Sequence, residues 1–182
     1  MQTEIILSGF GGQGALFAGM ILTYAGMDAG KNVTWIPSYG PEMRGGTAHT
    51  TVIISDEDIG SPLVRHPSAA LVLNNPSLDK YEPLVKTGGV LVYNSSLIAQ
   101  PPGRADIGCV AVPASDMATE LGEVKVANMV ALGALVAATG VLPLSTVIQA
   151  LHHHLPESKA ELLALDEQAL QRGAHLVESI KV

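Results

Sequence analysis

Short apolar runs alternate with helical patterns along the first two thirds of the chain. An extended, β-branched run at residues 4–7 precedes residues 15–29, whose apolar spacing predicts a helix that ends at Gly30. A second strand is predicted at residues 32–36, so the chain opens with a βαβ unit of parallel strands. Further strands are predicted at residues 47–55, 69–73, 90–93 and 107–112, with a short helix at residues 77–86. This alternation predicts an α/β fold with a Rossmann-like doubly wound, mostly parallel sheet.

The C-terminal third is predicted to be helical. Helices are expected at residues 115–121, 126–139, 144–153 and 159–179, with prolines between the last three. The helix at residues 126–139 is apolar on nearly every face, which indicates burial either within the domain or against a partner. Because no linker interrupts the chain, residues 1–182 are predicted to form a single domain.

Composition narrows the possible classes of protein. Hydrophobic residues make up 47% and charged residues only 15%, which favours a subunit of an assembly. The net charge of −7, with no cluster of lysines and arginines, argues against nucleic-acid binding. No apolar stretch approaches the roughly 20 residues of a membrane span, and the N-terminus lacks a basic leader region. We therefore expect a cytoplasmic protein without a membrane partner.

The single cysteine also constrains the chemistry. Cys109 lies in the apolar run IGCVAV, which predicts a buried strand in which the thiol packs as a small hydrophobe. One thiolate cannot hold an iron–sulfur cluster, which generally requires about four. The sequence also lacks the spacing of a serine–histidine–acid set, a carboxylate pair or a zinc site. No catalytic residue and no metal ligand is therefore assigned to this chain.

The motif GFGGQG, residues 9–14, is the first candidate site. Gly9, Gly11 and Gly14 satisfy the pattern GxGxxG between a predicted strand and a predicted helix. Together with Gly12 they allow the backbone to approach an anion at the start of the helix, which predicts a phosphate ligand. The Gln13 amide stands where it can donate to an anion or to a carbonyl of a partner. A glycine turn that only packs helix on strand remains the alternative.

A dinucleotide site requires a carboxylate at the end of the second strand. Between Asp28, inside the first helix, and Glu42, in the next loop, the chain has none. The absence of this carboxylate argues against NAD binding.

The motif PSYGPEMRGG, residues 37–46, is the second candidate site. It follows the second strand, so both glycine-rich loops are predicted to meet at the carboxyl edge of the sheet. Arg44 precedes two glycines whose backbone can form an anion-binding nest, and Glu42 can orient its guanidinium. A compact surface loop is the alternative. The candidate ligand-binding or interface residues here are Ser38, Tyr39, Gly40, Glu42, Arg44, Gly45 and Gly46.

Three further features have competing interpretations. His152, His153 and His154 are consecutive on a predicted helix, where neighbours point about 100° apart, so a solvated helix end is favoured over a metal site. His49 lies near the second loop and can reach the site, although a structural role is favoured. Asn128, almost alone in an apolar helix, must find a hydrogen-bond partner in a loop of this chain or in another subunit.

Five segments together resemble a known family. They are GFGGQG, PSYGPEMRGG, NNPSLDKYEP from Asn74, YNSSLI from Tyr93 and KVANMVALGAL from Lys125. In this order they cover most of the chain. The chain resembles the gamma subunit of 2-oxoacid:ferredoxin oxidoreductases, and the second and fourth segments look closest to the 2-oxoglutarate branch.

The resemblance implies a multi-subunit enzyme that converts a 2-oxoacid and coenzyme A to acyl-CoA and carbon dioxide with reduction of ferredoxin, or the reverse. It implies that thiamine diphosphate, Mg and 4Fe-4S clusters belong to partner chains, the alpha and beta subunits with a delta subunit left open, so this chain binds no cofactor alone. It also implies that Gly11, Gly12, Gln13 and the Arg44 loop face coenzyme A or a partner subunit. Two other classes stay open: a nicotinamide-dependent Rossmann-type dehydrogenase and a non-catalytic nucleotide-binding scaffold.

Overall fold

The computed structural model describes residues 1–38, 48–155 and 160–180, apart from the side chains of residues 160 and 161. The strands of this part are β1 (Gln2–Gly9), β2 (Asn32–Ser38), β3 (Ala48–Ser55), β4 (Ala69–Val72), β5 (Val90–Asn94) and β6 (Gly108–Val112). The helices are α1 (Ala15–Asp28), α2 (Asn75–Tyr81), α3 (Ala114–Glu120), α4 (Ala127–Thr139), α5 (Leu144–His154) and α6 (Ala160–Ile180). Short 3₁₀ helices follow α2 at Glu82–Leu84 and precede α4 at Val124–Val126.

The strands form one mixed sheet in the order β2-β3-β1-β4-β5-β6. β1, β4, β5 and β6 pair in parallel, whereas β3 is antiparallel to both of its neighbours. The predicted α/β class is therefore confirmed. β1 and β2 run in the same direction, as the predicted βαβ unit requires, but β3 lies between them. The sequence did not reveal this insertion, because the run that forms β3 is buried on both faces and carries no sign of its direction.

Helices cover both faces of the sheet. Helices α1, α3, α4, α5 and α6 contribute to a large apolar core on one face, and α2 covers a smaller core on the other. After β1 the chain crosses to one side of the sheet to form β2 and β3, and it then returns to the other side of β1 to form β4. The boundary between β1 and β4 is thus the topological switch point, where open α/β sheets bind ligands at the carboxyl ends of their strands.

The apolar helix α4 is buried inside the domain. Its residues from Asn128 to Val136 are all buried, and α4 packs along most of α6. Two glycines permit this close approach: a Cβ on Gly133 would collide with the backbone of Leu170, and one on Gly173 with the backbone of Val130. Of the two interpretations left open by the sequence, burial within the domain accounts for the pattern of this helix.

Cys109 is exposed, whereas the sequence predicts that it lies in a buried strand. The strand is present as β6, but β6 is the last strand of the sheet, and Cys109 is exposed. An apolar run indicates a strand in either position, and only the strand order distinguishes a central strand from an edge strand.

Candidate functional site

The GFGGQG loop lies at the switch point and is held by its own glutamine. Gln13 Oε1 accepts hydrogen bonds from the Phe10 backbone N–H at 2.7 Å and from Asn74 Nδ2 at 2.8 Å. Gln13 Nε2 donates to the Leu73 carbonyl at 3.4 Å. The Gln13 amide, which the sequence analysis interprets as a donor to a ligand or partner, therefore joins the loop after β1 to the loop after β4. Its first role is to fix the shape of the glycine loop.

Gly14 begins α1 in a conformation that favours glycine. Its φ is 79°, in the left-handed region, and no side chain of the described residues caps the helix. Its carbonyl accepts a hydrogen bond from Asn128 Nδ2 at 3.1 Å. A Cβ on Gly14 would collide with that same amide. The partner that the buried Asn128 requires is thus the glycine loop of this chain.

A second buried asparagine organises the neighbouring strand end. Asn94, at the end of β5, accepts hydrogen bonds through Oδ1 from the backbone N–H groups of Ala114 at 3.1 Å and Ser115 at 3.4 Å. Its Nδ2 donates to Ser115 Oγ at 2.9 Å. Asn74 has the same role at β4, where it caps α2 through the Ser77 N–H at 2.9 Å. Asn94 is the last residue of β5, and Asn74 lies two residues after the end of β4. Neither asparagine belongs to a charged or glycine-rich motif, so the sequence alone assigns them no role.

A cavity of about 320 Å³ opens among these elements. Its polar wall carries Asn94, Ser115 and Asn128, together with the backbone of Gly12. Its rim has two exposed apolar side chains, Leu97 and Val124, and the exposed Lys125. This lining comes from the loops after β1 and β4, the end of β5 and the loop after it, the start of α3, and the segment that leads into α4 together with its first residues. The cavity therefore occupies the switch point at which the topology predicts a ligand.

Lys125 is the cationic group of this cavity. Within the part of the chain that the structure describes, no carboxylate lies within ion-pair distance of its ammonium. Its backbone N–H is held by Glu123 Oε1 at 3.0 Å, which fixes the start of the 3₁₀ turn. An ammonium at the rim and uncapped helix N–H groups at the loop both favour an anion. The sequence contained Lys125 in a recognised segment but gave no reason to assign it a role.

The second loop lies mostly outside the described residues. Tyr39, Gly40, Glu42, Arg44, Gly45 and Gly46 fall in that part, and their assignment stays a prediction. Its flanking residues are described: Ser38 pairs with His49, and Ala48 pairs with Gly9 at the end of β1. Ser38, within the second motif, and Gly9, at the start of the first, thus lie at the same edge of the sheet, and the meeting of the two loops stays a prediction.

The histidines lie away from the cavity. His49 stands in β3 with its ring 5.5 Å from that of Tyr81, and it does not line the cavity. At the end of α5, His152 contacts Glu167 at 2.7 Å, and His154 contacts Asp28 at 3.1 Å and stacks on Tyr24. These contacts join the end of α5 to α6 and α1. The prediction of a solvated helix end is therefore incomplete, because two of its three histidines bond to neighbouring helices. Within the residues described, no cluster of three or more histidine, cysteine or carboxylate side chains can hold a metal ion.

Replacing Asn94 by alanine is expected to lower the free energy of unfolding by about 2 kcal/mol, because a capping side chain is lost and buried N–H groups lose their acceptor. Urea denaturation measures this change. Asn75→Ala is the control, since the exposed Asn75 makes one long hydrogen bond, to the Leu97 carbonyl at 3.5 Å. Equal stability losses in the two variants would contradict the structural role of Asn94.

No helix in the described ranges is both long enough and apolar enough to cross a membrane.

Comparisons with known proteins agree on one family. A family model described as pyruvate ferredoxin/flavodoxin oxidoreductase matches residues 4–176. Subunit KorC of 2-oxoglutarate synthase from Methanocaldococcus jannaschii is 37% identical over 166 residues, which cover 88% of each chain. Subunit VorA of ketoisovalerate oxidoreductase from Methanothermobacter thermautotrophicus is 39% identical over 136 residues, which cover 75% of this chain. The chain spans 28% of the length of that VorA relative.

Among solved structures, a gamma subunit resembles the chain over nearly its whole length. It is the gamma subunit of a keto/oxoacid ferredoxin oxidoreductase from Geobacter sulfurreducens, with a TM-score of 0.83 and 36% sequence identity. The alignment covers 97% of this chain and 99% of that one.

Proposed function

This chain belongs to the pyruvate ferredoxin/flavodoxin oxidoreductase family, and from that premise we propose that it is the gamma subunit of a 2-oxoacid:ferredoxin oxidoreductase that assists coenzyme A binding. The complete enzyme would convert 2-oxoglutarate and coenzyme A to succinyl-CoA and carbon dioxide with reduction of ferredoxin, in the cytoplasm. The decarboxylation and electron transfer would depend on thiamine diphosphate, Mg and 4Fe-4S clusters in partner subunits. The single cysteine of this chain agrees with this assignment, because one thiolate cannot hold an iron–sulfur cluster.

The observation that carries the proposal is the cavity at the switch point. Coenzyme A combines phosphate groups with a long arm in which methyl and methylene groups alternate with two amides, and the cavity rim combines the Lys125 ammonium with the exposed Leu97 and Val124. The uncapped start of α1 adds N–H groups that favour a phosphate. At about 320 Å³ the cavity is near the lower limit of small-molecule sites. We therefore propose that it receives one part of coenzyme A and that a partner subunit contacts the rest.

The proposed oxoacid rests on the KorC subunits, which match nearly the whole chain at a higher identity than the phenylglyoxylate dehydrogenase gamma subunit of Aromatoleum evansii, at 30%. The KorC subunit from Methanothermobacter marburgensis is 34% identical over 97% of both chains. The VorA matches cover a small part of longer proteins, so they carry less weight for the substrate. We therefore favour 2-oxoglutarate over 2-oxoisovalerate or pyruvate.

A nicotinamide-dependent dehydrogenase is the competing function. In a dinucleotide-binding fold the second strand lies beside the first and ends in a carboxylate that binds the ribose. Here β3 separates β2 from β1, and β2 from Asn32 to Ser38 contains no carboxylate. Both observations argue against NAD. An unchanged KM for coenzyme A together with unchanged activity in the Lys125→Gln and Arg44→Ala enzymes would favour a scaffold without a role in the reaction.

Lys125→Gln is expected to raise the KM for coenzyme A about tenfold while kcat changes little. A fully formed hydrogen bond from a charged group contributes about 1.5–3 kcal/mol, and a tenfold change corresponds to the lower end of that range. The assay is viologen reduction by the assembled enzyme under anaerobic conditions, with 2-oxoglutarate saturating. Lys80→Gln is the matched control, since Lys80 lies on α2 over the Tyr81 ring and away from the cavity. Arg44→Ala tests the second loop in the same assay.

An unchanged KM in both Lys125→Gln and Arg44→Ala would refute the coenzyme A role. Comparison of 2-oxoglutarate, 2-oxoisovalerate and pyruvate as substrates tests the oxoacid separately. A lone chain that binds NADH and forms no enzyme complex would favour the dehydrogenase instead.

A further inference from the structure

Three side-chain amides line the cavity at the switch point, and a backbone group orients each of them. Gln13 Oε1 accepts from a backbone N–H of its own loop, and Asn128 Nδ2 donates to the Gly14 carbonyl. Asn94 Oδ1 accepts from the Ala114 N–H. A backbone N–H can only donate and a backbone carbonyl can only accept, so the oxygen and nitrogen positions of each amide are settled. The hydrogen-bonding capacity that each amide has left can therefore be counted.

The oxygens of these amides are largely occupied within the chain. Gln13 Oε1 also accepts from Asn74 Nδ2, so both of its lone pairs are used. Asn94 Oδ1 accepts from three backbone N–H groups, at distances between 3.1 and 3.4 Å. Asn128 Oδ1 accepts from the Met129 N–H at 3.0 Å. None of the described residues that line the cavity is a carboxylate. The lining side chains thus leave few acceptors for a ligand.

The hydrogens of the same groups are only partly used. Within the described residues, the terminal NH2 groups of Gln13, Asn94 and Asn128 each make one hydrogen bond, so each retains a second N–H. Ser115 Oγ accepts from Asn94 at 2.9 Å, and its own O–H proton has no acceptor in that part of the chain. Lys125 adds an ammonium whose charge no described carboxylate pairs. The polar wall of the cavity therefore offers more donors than acceptors.

A wall of donors selects a ligand by its hydrogen-bond pattern. A ligand group that also donates gives up water and finds few acceptors here, whereas a group of acceptors pairs fully. Among the parts of coenzyme A, adenine carries an amino group, and the pantetheine arm carries two amide N–H groups and a hydroxyl. The pyrophosphate at neutral pH carries acceptor oxygens only, and its negative charge suits an ammonium. It is the part of coenzyme A that this wall fits best.

We propose that the cavity at the switch point is the pyrophosphate subsite for coenzyme A, with Lys125, Ser115 and Asn128 as donors to the phosphate oxygens. The inference rests on the proposed function and deepens it, because it assigns one part of the ligand to one cavity. The exposed Leu97 and Val124 at the rim favour the pyrophosphate over the 3′-phosphate. The pantetheine arm, with its methyl and methylene groups, is attached directly to the pyrophosphate and can pass over these two side chains.

A carboxylate shares the acceptor pattern and must be distinguished from a phosphate. It has two oxygens on one carbon, whereas the donors here come from the loop after β1, the end of β5, the start of α3 and the segment before α4. Donors spread over four segments suit the several oxygens of a pyrophosphate better than one carboxylate. 2-Oxoglutarate is therefore included among the ligands tested.

Titration of the full, isotopically labelled chain tests the ligand pattern. Pyrophosphate, adenosine, pantetheine and 2-oxoglutarate are added separately, and the side-chain NH2 signals are followed by NMR. Pyrophosphate is expected to shift the signals of Asn94 and Asn128, because the retained N–H groups gain an acceptor. Adenosine and pantetheine should leave both signals in place. The signal of Asn32, on the exposed edge strand β2, is the internal control and should not move with any of the four ligands.

Variants of the donors test the assignment of residues. Lys125→Gln is expected to weaken pyrophosphate binding about tenfold, and Ser115→Ala about fivefold, because each removes a donor. Ser115→Thr retains the hydroxyl and should bind within about twofold of the original chain. Lys80→Gln removes an equal charge from α2, away from the cavity, and should leave binding unchanged. Thermal unfolding checks that each variant is folded.

Dephospho-coenzyme A tests the choice of phosphate in the assembled enzyme, since it keeps the pyrophosphate and lacks the 3′-phosphate. Lys125→Gln is expected to raise its KM about tenfold, as it does for coenzyme A. ADP should compete with coenzyme A, and Lys125→Gln should raise its inhibition constant by the same factor. A KM for dephospho-coenzyme A that does not respond to Lys125→Gln would overturn the assignment of the pyrophosphate.

Two further results would contradict the inference while leaving the proposed function intact. One is a shift of the Asn94 and Asn128 signals by adenosine or pantetheine and not by pyrophosphate. The other is tighter binding of 2-oxoglutarate than of pyrophosphate. Failure of the proposed function has a different signature: pyrophosphate binds the chain as expected, but Lys125→Gln leaves the KM for coenzyme A unchanged. That result would refute coenzyme A as the ligand of this cavity.

Discussion

Gly173→Ala is expected to lower the free energy of unfolding by about 3 kcal/mol, at the upper end of the usual cost of overpacking a core. A Cβ at this position would collide with the Val130 carbonyl and lie 3.1 Å from the Ala134 backbone nitrogen. Both obstacles are backbone atoms of α4, so no side-chain rotation can relieve the contact. The helices must separate, and the core between them must loosen. Alanine's higher helix propensity recovers only about 1 kcal/mol.

Urea denaturation of Gly173→Ala, Gly133→Ala and the double variant checks this expectation. One separation of α4 from α6 relieves both collisions, so the double variant should lose less stability than the sum of the single variants. Gly60→Ala is the control, because Gly60 has an ordinary φ and no atom within 4 Å of an added Cβ. It should be neutral or slightly stabilising, by about 0.4–1 kcal/mol. A Gly173→Ala protein as stable as the control would mean that the two helices are not in close contact.

The local elements of this fold follow from periodicity, but their arrangement does not. The predicted strands and helices are all present, with ends that differ by a few residues, because apolar spacing and prolines act locally. The position of β3 between β1 and β2 and the exposed position of β6 depend on which strands pair. Both β3 and β6 are apolar runs, yet one is central and the other is an edge. Periodicity carries no information about that difference.

The candidate site was predictable in its backbone and not in its polar side chains. The glycine pattern identified the loop at the switch point. Because a strand precedes this loop, the sequence also placed it at the carboxyl edge of the sheet. The sequence indicated that Asn128 needed a partner, which is the Gly14 carbonyl. Asn74, Asn94 and Lys125 lie in segments that carry the family resemblance, but the sequence assigns them no role in the site. An asparagine near a strand end is as typical of an ordinary turn as of a ligand site, and a single lysine is typical of any surface. Only the contacts across loops distinguish the two.

Gly14→Ala is expected to lower the free energy of unfolding by about 3 kcal/mol. Roughly 1–2 kcal/mol of this loss arises because alanine disfavours a left-handed φ. The remainder reflects the Asn128 amide, which the new methyl group displaces from the Gly14 carbonyl. The displaced amide loses this hydrogen bond, at about 0.5–1.5 kcal/mol. Gly12→Ala isolates the backbone effect, because Gly12 has a φ of 93° and nothing within 4 Å of an added Cβ.

A double-mutant cycle separates the two contributions. Asn128→Ala removes the obstructing amide, so Gly14→Ala in that background should cost only the backbone effect, roughly 1–2 kcal/mol, as Gly12→Ala does. A large coupling between the two positions would mean that the new methyl group and the Asn128 amide compete for the same space, as the structure indicates. The cost of Asn128→Ala alone then measures how strongly this amide holds the glycine loop to α4. If the proposed coenzyme A role holds, Asn128→Ala should also raise the KM for coenzyme A, because a loop released from α4 no longer presents its N–H groups in one arrangement. If the costs simply add, the methyl group does not displace the Asn128 amide, and α4 does not pack this closely against Gly14.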